Sequence, residues 1–211
     1  MKIIITSFDI GFRNFAFCTQ EIDVDEIINI SNAYKVKPSF NVDGTCTDEY
    51  KKYLEYIYRT GKIIECQNID IKYYSTNILD NYCLILTDIL NKYSDLWDKT
   101  NVFLIEQQMS YGRNKSNIQA LKLAQHCQSY FYTIYGSFKL VIDYPSQNKT
   151  RMLGCSLVSR KTHASRKIFS VNLCREILRL KNSDTLFDRF KKKDDVSDCL
   201  LMIETFKLKL F

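Results

Sequence analysis

Residues 2–11 run Lys2-Ile3-Ile4-Ile5-Thr6-Ser7-Phe8-Asp9-Ile10-Gly11. Lys2 to Phe8 is rich in β-branched residues and closes on an aromatic, the composition of a strand. The strand ends at a carboxylate, Asp9. Gly11 follows, which lets the backbone turn and a ligand approach closely. Residues 14–20 and 26–36 read as two more strands joined by the acidic turn Glu21-Ile22-Asp23-Val24-Asp25. The chain therefore opens as a three-strand antiparallel meander.

Downstream the pattern changes. Residues 37–75, broken by Pro38, Gly44 and Gly61, read as an insertion with a short helix from Tyr50 to Tyr58. Ile78, Tyr82, Ile85, Leu86, Ile89, Tyr93 and Leu96 recur at three- and four-residue spacing, which predicts an amphipathic helix over 77–97. Asn101 to Ile105 is a short apolar strand ending at Glu106. A polar loop at 109–116, a helix at 117–135, a strand at 138–143 and a basic loop at 146–164 follow. A helix at 165–181, a polar linker at 182–193 and a helix at 195–207 complete the chain. Meandering strands followed by alternating helices and strands predict an α/β protein of the ribonuclease H-like architecture. That is a mixed sheet, three antiparallel strands then parallel ones, with helices on both faces. Residues 1–211 are expected to form one domain, with the insertion at about 37–75.

Composition bounds the function classes. The 211 residues are 45% hydrophobic and 26% charged, with six Gly and two Pro. That excludes collagen-like and disordered chains and supplies one good core. No apolar run approaches the roughly 18 residues of a membrane span, and Asp9 and Arg13 interrupt the start too early for a secretory signal. A soluble intracellular protein with no membrane partner is expected. The eight Cys are scattered without a CxxC pair, so they read as reduced core residues and not as zinc ligands or disulfides.

The net charge of +6 conceals an asymmetry. Residues 1–106 carry 11 basic and 16 acidic side chains, whereas residues 107–183 carry 13 basic and 2 acidic. A block this one-sided repels itself unless an anion lies against it, and phosphate backbone is the usual partner. Tyr111, Tyr130, Phe131, Tyr132, Tyr135 and Tyr144 are interleaved with the cations. The DNA-contact candidates are Arg113, Lys115, Lys149, Arg151, Arg160, Lys161, Arg166 and Lys167.

Four carboxylates stand where strand ends or a helix start place them. Asp9 and Glu106 each end an apolar strand, the usual place for α/β sites. Asp195 and Asp198, three apart in Asp194-Asp195-Val196-Ser197-Asp198, share one face of the last helix. Each has a structural explanation taken singly: Asp194 or Asp195 as helix N-cap, Asp198 as a partner of the helix dipole, Glu106 as a solvated strand end. Four carboxylates brought together need a cation to stay ionised. Hard oxygen donors suit a pair of Mg²⁺ ions, with Mn²⁺ able to substitute, and such a pair clamps the attacking and leaving oxygens of a phosphodiester. A metal cluster beside a basic block is the chemistry of a nuclease.

These segments resemble a known family. Ser7-Phe8-Asp9-Ile10-Gly11-Phe12-Arg13-Asn14 is similar to the first strand of the RuvC-type Holliday junction resolvases. Ile105-Glu106-Gln107-Gln108 is similar to their second acidic motif, and Ala120 to Gln125 to the helix after it. Lys193 to Asp198 resembles their closing DDxxD segment. The poxvirus branch gives the nearest pattern, over residues 2–20 and 102–205. The resemblance implies Asp9 as the central ligand of two metals, Glu106 and Asp198 holding one each, and Asp195 completing the site, with Asp194 outside it. It places a basic residue near the scissile phosphate, here Lys167 or Arg166, with Lys161 and Lys149 as alternatives. An aromatic near the second motif corresponds to Tyr111, although Met109 is closer in spacing. His126 and His163 read as structural or solvated. The implied activity is paired symmetric cleavage of four-way DNA junctions by a homodimer, leaving 5′-phosphates, without a small-molecule cofactor. In a large DNA virus this would resolve replicated concatemers, in the host cytoplasm for a poxvirus, and the enzyme would also be expected in the virion. Other readings are a ribonuclease H-like nuclease of RNA–DNA hybrids or recombination ends, and a non-catalytic junction-binding module. An ATP-binding protein of the sugar-kinase or actin type needs a second glycine-rich phosphate loop, and six Gly leave none visible.

Overall fold

A computed structural model describes residues 1–11, 13–71, 81–108 and 115–210. Five strands form one sheet: β1 (Lys2–Ile10), β2 (Asn14–Asp23), β3 (Lys62–Asp70), β4 (Val102–Glu106) and β5 (Leu140–Tyr144), in the order β3-β2-β1-β4-β5. β1, β2 and β3 pair antiparallel, whereas β4 and β5 run parallel to β1. This is the mixed sheet that the element order predicts.

The third strand of the meander is not where the sequence placed it. Residues 24–34 form helix α1 (Val24–Tyr34), and β3 comes from the segment read as an insertion. The acidic run taken for a turn is a helix start. Asp23 caps α1 by accepting from the Asp25 N–H at 3.0 Å, and Asp25 and Glu26 complement the dipole in the first turn. Ile27 and Ile30, three apart, then face the core. Helix α2 (Asp48–Arg59), capped by Thr47, precedes β3. The helix expected over 77–97 is two helices, α3 (Tyr82–Lys92) and α4 (Ser94–Lys99), which meet at Tyr93. Residues 77–80 lie outside the described residues.

The remaining helices are α5 (Lys115–Tyr135), α6 (Asn148–Met152), α7 (Leu157–Arg160), α8 (His163–Leu180) and α9 (Asp194–Lys207). The basic loop at 146–164 thus contains two short helices, and the linker before α9 contains a 3-10 turn at Asp184–Arg189.

Each face of the sheet carries its own core. On one, Phe8, Phe15, Phe17, Trp97, Phe103 and Phe131 pack under α3, α4 and α5. The Phe103 and Phe131 rings stack at 3.9 Å, and the Trp97 indole donates to the Leu90 carbonyl at 2.7 Å. On the other face α9 lies between the sheet and helices α2, α6 and α8. Every residue from Asp195 to Lys207 except Asp198 is buried. All eight Cys are free thiols and six of them are buried, as expected of reduced core residues. Among the described residues no helix is long and apolar enough to cross a membrane.

Candidate active site

Alternation along the strands chooses which side chains meet. In β1, Ile5 and Ser7 face α9 and Phe8 and Ile10 face the aromatic core, so Asp9 falls on the α9 side. In β4, Val102 and Leu104 face α9 while Phe103 and Ile105 face away, so Glu106 falls on the same side. Parallel pairing sets Ser7 opposite Leu104 and Phe8 opposite Ile105. Asp9 and Glu106 therefore leave adjacent strand ends side by side. The Ser7 hydroxyl donates to the Cys199 carbonyl at 2.7 Å, which pins the start of α9 against β1 and brings Asp198 to the same point. Carboxylate oxygens of Asp9, Glu106 and Asp198 lie within 4.8 Å of one another.

Lys149 completes this cluster. β5 ends at Tyr144, and the chain turns through Pro145 into α6 at the same sheet edge. The Lys149 ammonium, with a side chain only 6% exposed, lies 2.8 Å from Glu106 Oε1 and 3.1 Å from Asp198 Oδ2. Burial and the charges of Glu106 and Asp198 hold the Asp9 carboxyl well above the usual range. Asp198 is raised by burial and by Glu106, against the opposing pull of Lys149. Burial pushes the Lys149 ammonium down, but Glu106, Asp198 and Asp9 outweigh it and raise the group, so it remains a cation.

The closing segment divides its three aspartates. Asp195 is buried, with both oxygens 2.7 Å from the Lys192 ammonium and one 3.3 Å from the Asn68 amide. It lies outside the group of three. Asp194 pairs closely with Lys167 and lies 3.9 Å from Lys192. Lys167 is raised: burial opposes, and its bond to Asp194 prevails. Neither aspartate caps α9, because the cap residue is Lys193 and no side chain bonds there. The capping explanation is thereby removed, and ion pairing takes its place.

A cleft of about 460 Å³ opens beside Glu106 and Asp198. It is lined by Lys149, Arg151, Arg160, Arg166 and Lys167 among the expected DNA-contact residues, and also by His163. Lys161 is exposed outside that lining. Arg113, Tyr111 and Met109 lie outside the described residues, as does the Lys115 side chain. His126 bonds Thr87 at 2.8 Å between α3 and α5, a structural contact. The sequence places Lys149 among the DNA-contact candidates and as an alternative for the basic residue near the scissile phosphate, not among the carboxylates. The available signal was its position just past a strand parallel to β4, at the edge where Glu106 emerges. The donor set fits a divalent cation: three carboxylates, all hard oxygen donors, already grouped around a positive charge.

No protein-family model matches the chain. The uncharacterized protein 97L of Invertebrate iridescent virus 3 is 30% identical over 212 residues, 96% of this chain and 98% of that one. The chain belongs to the 97L family. Protein 170L of Invertebrate iridescent virus 6 is 27% identical over 244 residues, covering 97% of this chain and 89% of the relative. Among solved structures, the Fowlpox virus resolvase in complex with substrate Holliday junction DNA superposes with a TM-score of 0.56 at 16% identity, over 99% of both chains. RuvC of T. thermophilus with a Holliday junction substrate gives 0.56 at 10% identity, over 99% of this chain and 96% of that one. The 97L-family chain thus has the RuvC-type resolvase fold, the ribonuclease H-like architecture expected from its sequence.

Proposed function

We propose that this 97L-family protein is a metal-dependent, structure-specific endonuclease that resolves four-way DNA junctions. The observation that carries the reading is the meeting of Asp9, Glu106 and Asp198 at one sheet edge, beside a cleft of arginines and lysines. The resolvase fold of its structural neighbours supports the same reading.

In this mechanism Asp9, Glu106 and Asp198 would hold two Mg²⁺, or Mn²⁺ in their place, and Asp195 would complete the set. Bound there, the ions supply an activated water and charge stabilisation for phosphodiester hydrolysis. The protein does the rest. Arg151, Arg160, Arg166 and Lys167 hold the backbone phosphates of the strand, and Lys149 places a positive charge beside the reacting phosphate. Products carry 5′-phosphate and 3′-hydroxyl ends. The working form is a two-fold dimer matching the symmetry of the junction. Its interface is α5, where Ile118, Leu121 and Tyr132 are exposed on one side of the helix. In a large DNA virus the task is the resolution of replicated concatemers.

The test is cleavage of four-way junction, linear duplex and RNA–DNA hybrid substrates with Mg²⁺. Symmetric paired nicks in the junction, with little cutting of the other two, are expected. Preference for the hybrid would make the protein a ribonuclease H-like nuclease instead, and tight junction binding without cleavage would make it a binding module.

A further inference from the structure

The active-site cleft accounts for one end of the sheet edge. A second cleft, of about 660 Å³, lies at the other end. It is lined by Arg13 and Asn14 where β2 begins, Asn68 and Asp70 where β3 ends, and Arg189 to Lys192 ahead of α9. The sheet order β3-β2-β1-β4-β5 fixes the relation between the two. β1, carrying Asp9, is central, with β4 and Glu106 beside it. The cleft already described lies toward β4 and β5, and the second lies toward β2 and β3. At about 4.8 Å per strand, the edge from β3 to β5 spans roughly 19 Å, room for several nucleotides. Asp194 links the clefts, paired with Lys167 from one and 3.9 Å from Lys192 of the other.

The charge of the second cleft is that of an anion site. Four cations, Arg13, Arg189, Lys191 and Lys192, face one lining carboxylate, Asp70. Arg13 bonds Asp70 at 3.0 Å and Lys192 bonds Asp195 at 2.7 Å. Arg189 and Lys191 are exposed and, among the described residues, form no ion pair. The segment is held in place and does not merely drape over the sheet. The Asn68 amide donates to the Lys192 carbonyl at 3.0 Å, and Phe190 packs on the core beneath. The overall charge count hides this patch, because residues 184–211 carry six basic and six acidic side chains.

We propose that this cleft is a second phosphate-binding site, which grips the DNA backbone on the opposite side of the carboxylates from Arg166 and Lys167. The inference rests on the proposed nuclease function and extends it. The strand would cross the sheet edge held at both ends, with the bond to be cut lying between. Among the described residues, Arg189 and Lys191 are the cations of the site without an ion-pair partner, and Arg13 and Lys192 stand beside them.

The experiment measures equilibrium binding of a four-way junction without divalent ions, from 50 to 200 mM salt. It compares wild type, the double variant R189A/K191A, and the control K52A/R59A, which removes two exposed charges from α2. The cleft variant should bind roughly tenfold more weakly at low salt, with a salt slope smaller by about one to two. The control should keep the wild-type slope. Calorimetric titration with Mn²⁺ should give the same affinity in all three proteins, which confirms that the carboxylate site is intact. A cleft variant with the wild-type slope, or an equal loss in the control, overturns the inference while junction cleavage by wild type leaves the nuclease reading standing. A wild-type protein without affinity for DNA overturns both.

Discussion

Asp9 is the residue on which two strands and a helix converge. It shares its strand face with Ile5 and Ser7, and Ser7 reaches across to α9. Replacing it with Asn keeps the shape and removes a charged oxygen donor. Asp9→Asn should lower junction cleavage by more than about a hundredfold, beyond what loss of an outer-shell partner costs a metal site. Junction binding should stay near wild type, because no phosphate contact is lost. Cleavage within a few fold of wild type would sink the assignment. Lys149 makes a different prediction. Its ammonium offsets the mutual repulsion of three carboxylates and is almost fully buried. Lys149→Met should destabilise the metal-free protein by about 3–5 kcal/mol, the cost of stranding buried charge. Added Mg²⁺ should restore more stability to the variant than to wild type, read by chemical denaturation with and without the ion. Equal metal responses would show that the carboxylates do not depend on Lys149 for neutralisation.

At the scale of elements, α5 and α9 are opposites. α9 is buried nearly all round, and its second half carries a charged lock. Lys207 donates to the Ile57 and Thr60 carbonyls at 3.2 and 3.1 Å, closing the end of α2, and pairs with Glu204 at 2.6 Å. Burial, with the Lys181 ammonium nearby, pulls Lys207 down to about 7 against the pull of Glu204. In the unfolded chain a lysine titrates near 10.4. Between these values the unfolded state binds more protons, so this group's contribution to stability rises with pH. Unfolding free energies of wild type and Lys207→Met should therefore diverge in favour of wild type from pH 7 to pH 9.5. Taking the difference cancels the thiols, which ionise in this range in the unfolded chain. A flat difference would place Lys207 as a permanent cation. α5 leaves Ile118 and Leu121 exposed, 53% and 40% respectively. If these form the dimer interface, Leu121→Glu should weaken self-association at least about tenfold, the worth of one buried leucine. Sedimentation of the variant at micromolar concentration should show monomer where wild type shows dimer.

At the scale of the whole molecule, five basic residues of the 107–183 block, Lys149, Arg151, Arg160, Arg166 and Lys167, line one cleft at the sheet edge. Arg151, Arg160, Arg166 and Lys167 come from α6, α7 and α8, and they line one cleft because all three helices follow the last parallel strand. K161A/R166A/K167A should weaken junction binding and reduce the salt slope by about two to three, if each cation neutralises one phosphate. An unchanged slope would reduce the block to a solvated face. Lys161, outside the cleft lining, should contribute least of the three when changed alone.

Much of this was legible in the linear order of residues. Strand composition around Asp9 and Glu106 and the helices placed over 117–135, 165–181 and 195–207 each use short-range rules, and each held. The meander's third strand was misplaced because Ile28 and Ile30 alternate as in a strand while Ile27 and Ile30 repeat as in a helix, over so short a run. Asp23 capping its own helix settled the matter locally, and β3 found its place only by pairing with β2 over a long separation. The carboxylates of Asp9, Glu106 and Asp198 could be named from their positions at strand ends and on a helix face. Their meeting, and the lysine among them, required strands far apart in sequence to be neighbours. Side-chain type and local spacing are properties of a few consecutive residues. A site is a property of the register between elements, and that register is fixed by burying two cores at once on the two faces of one sheet.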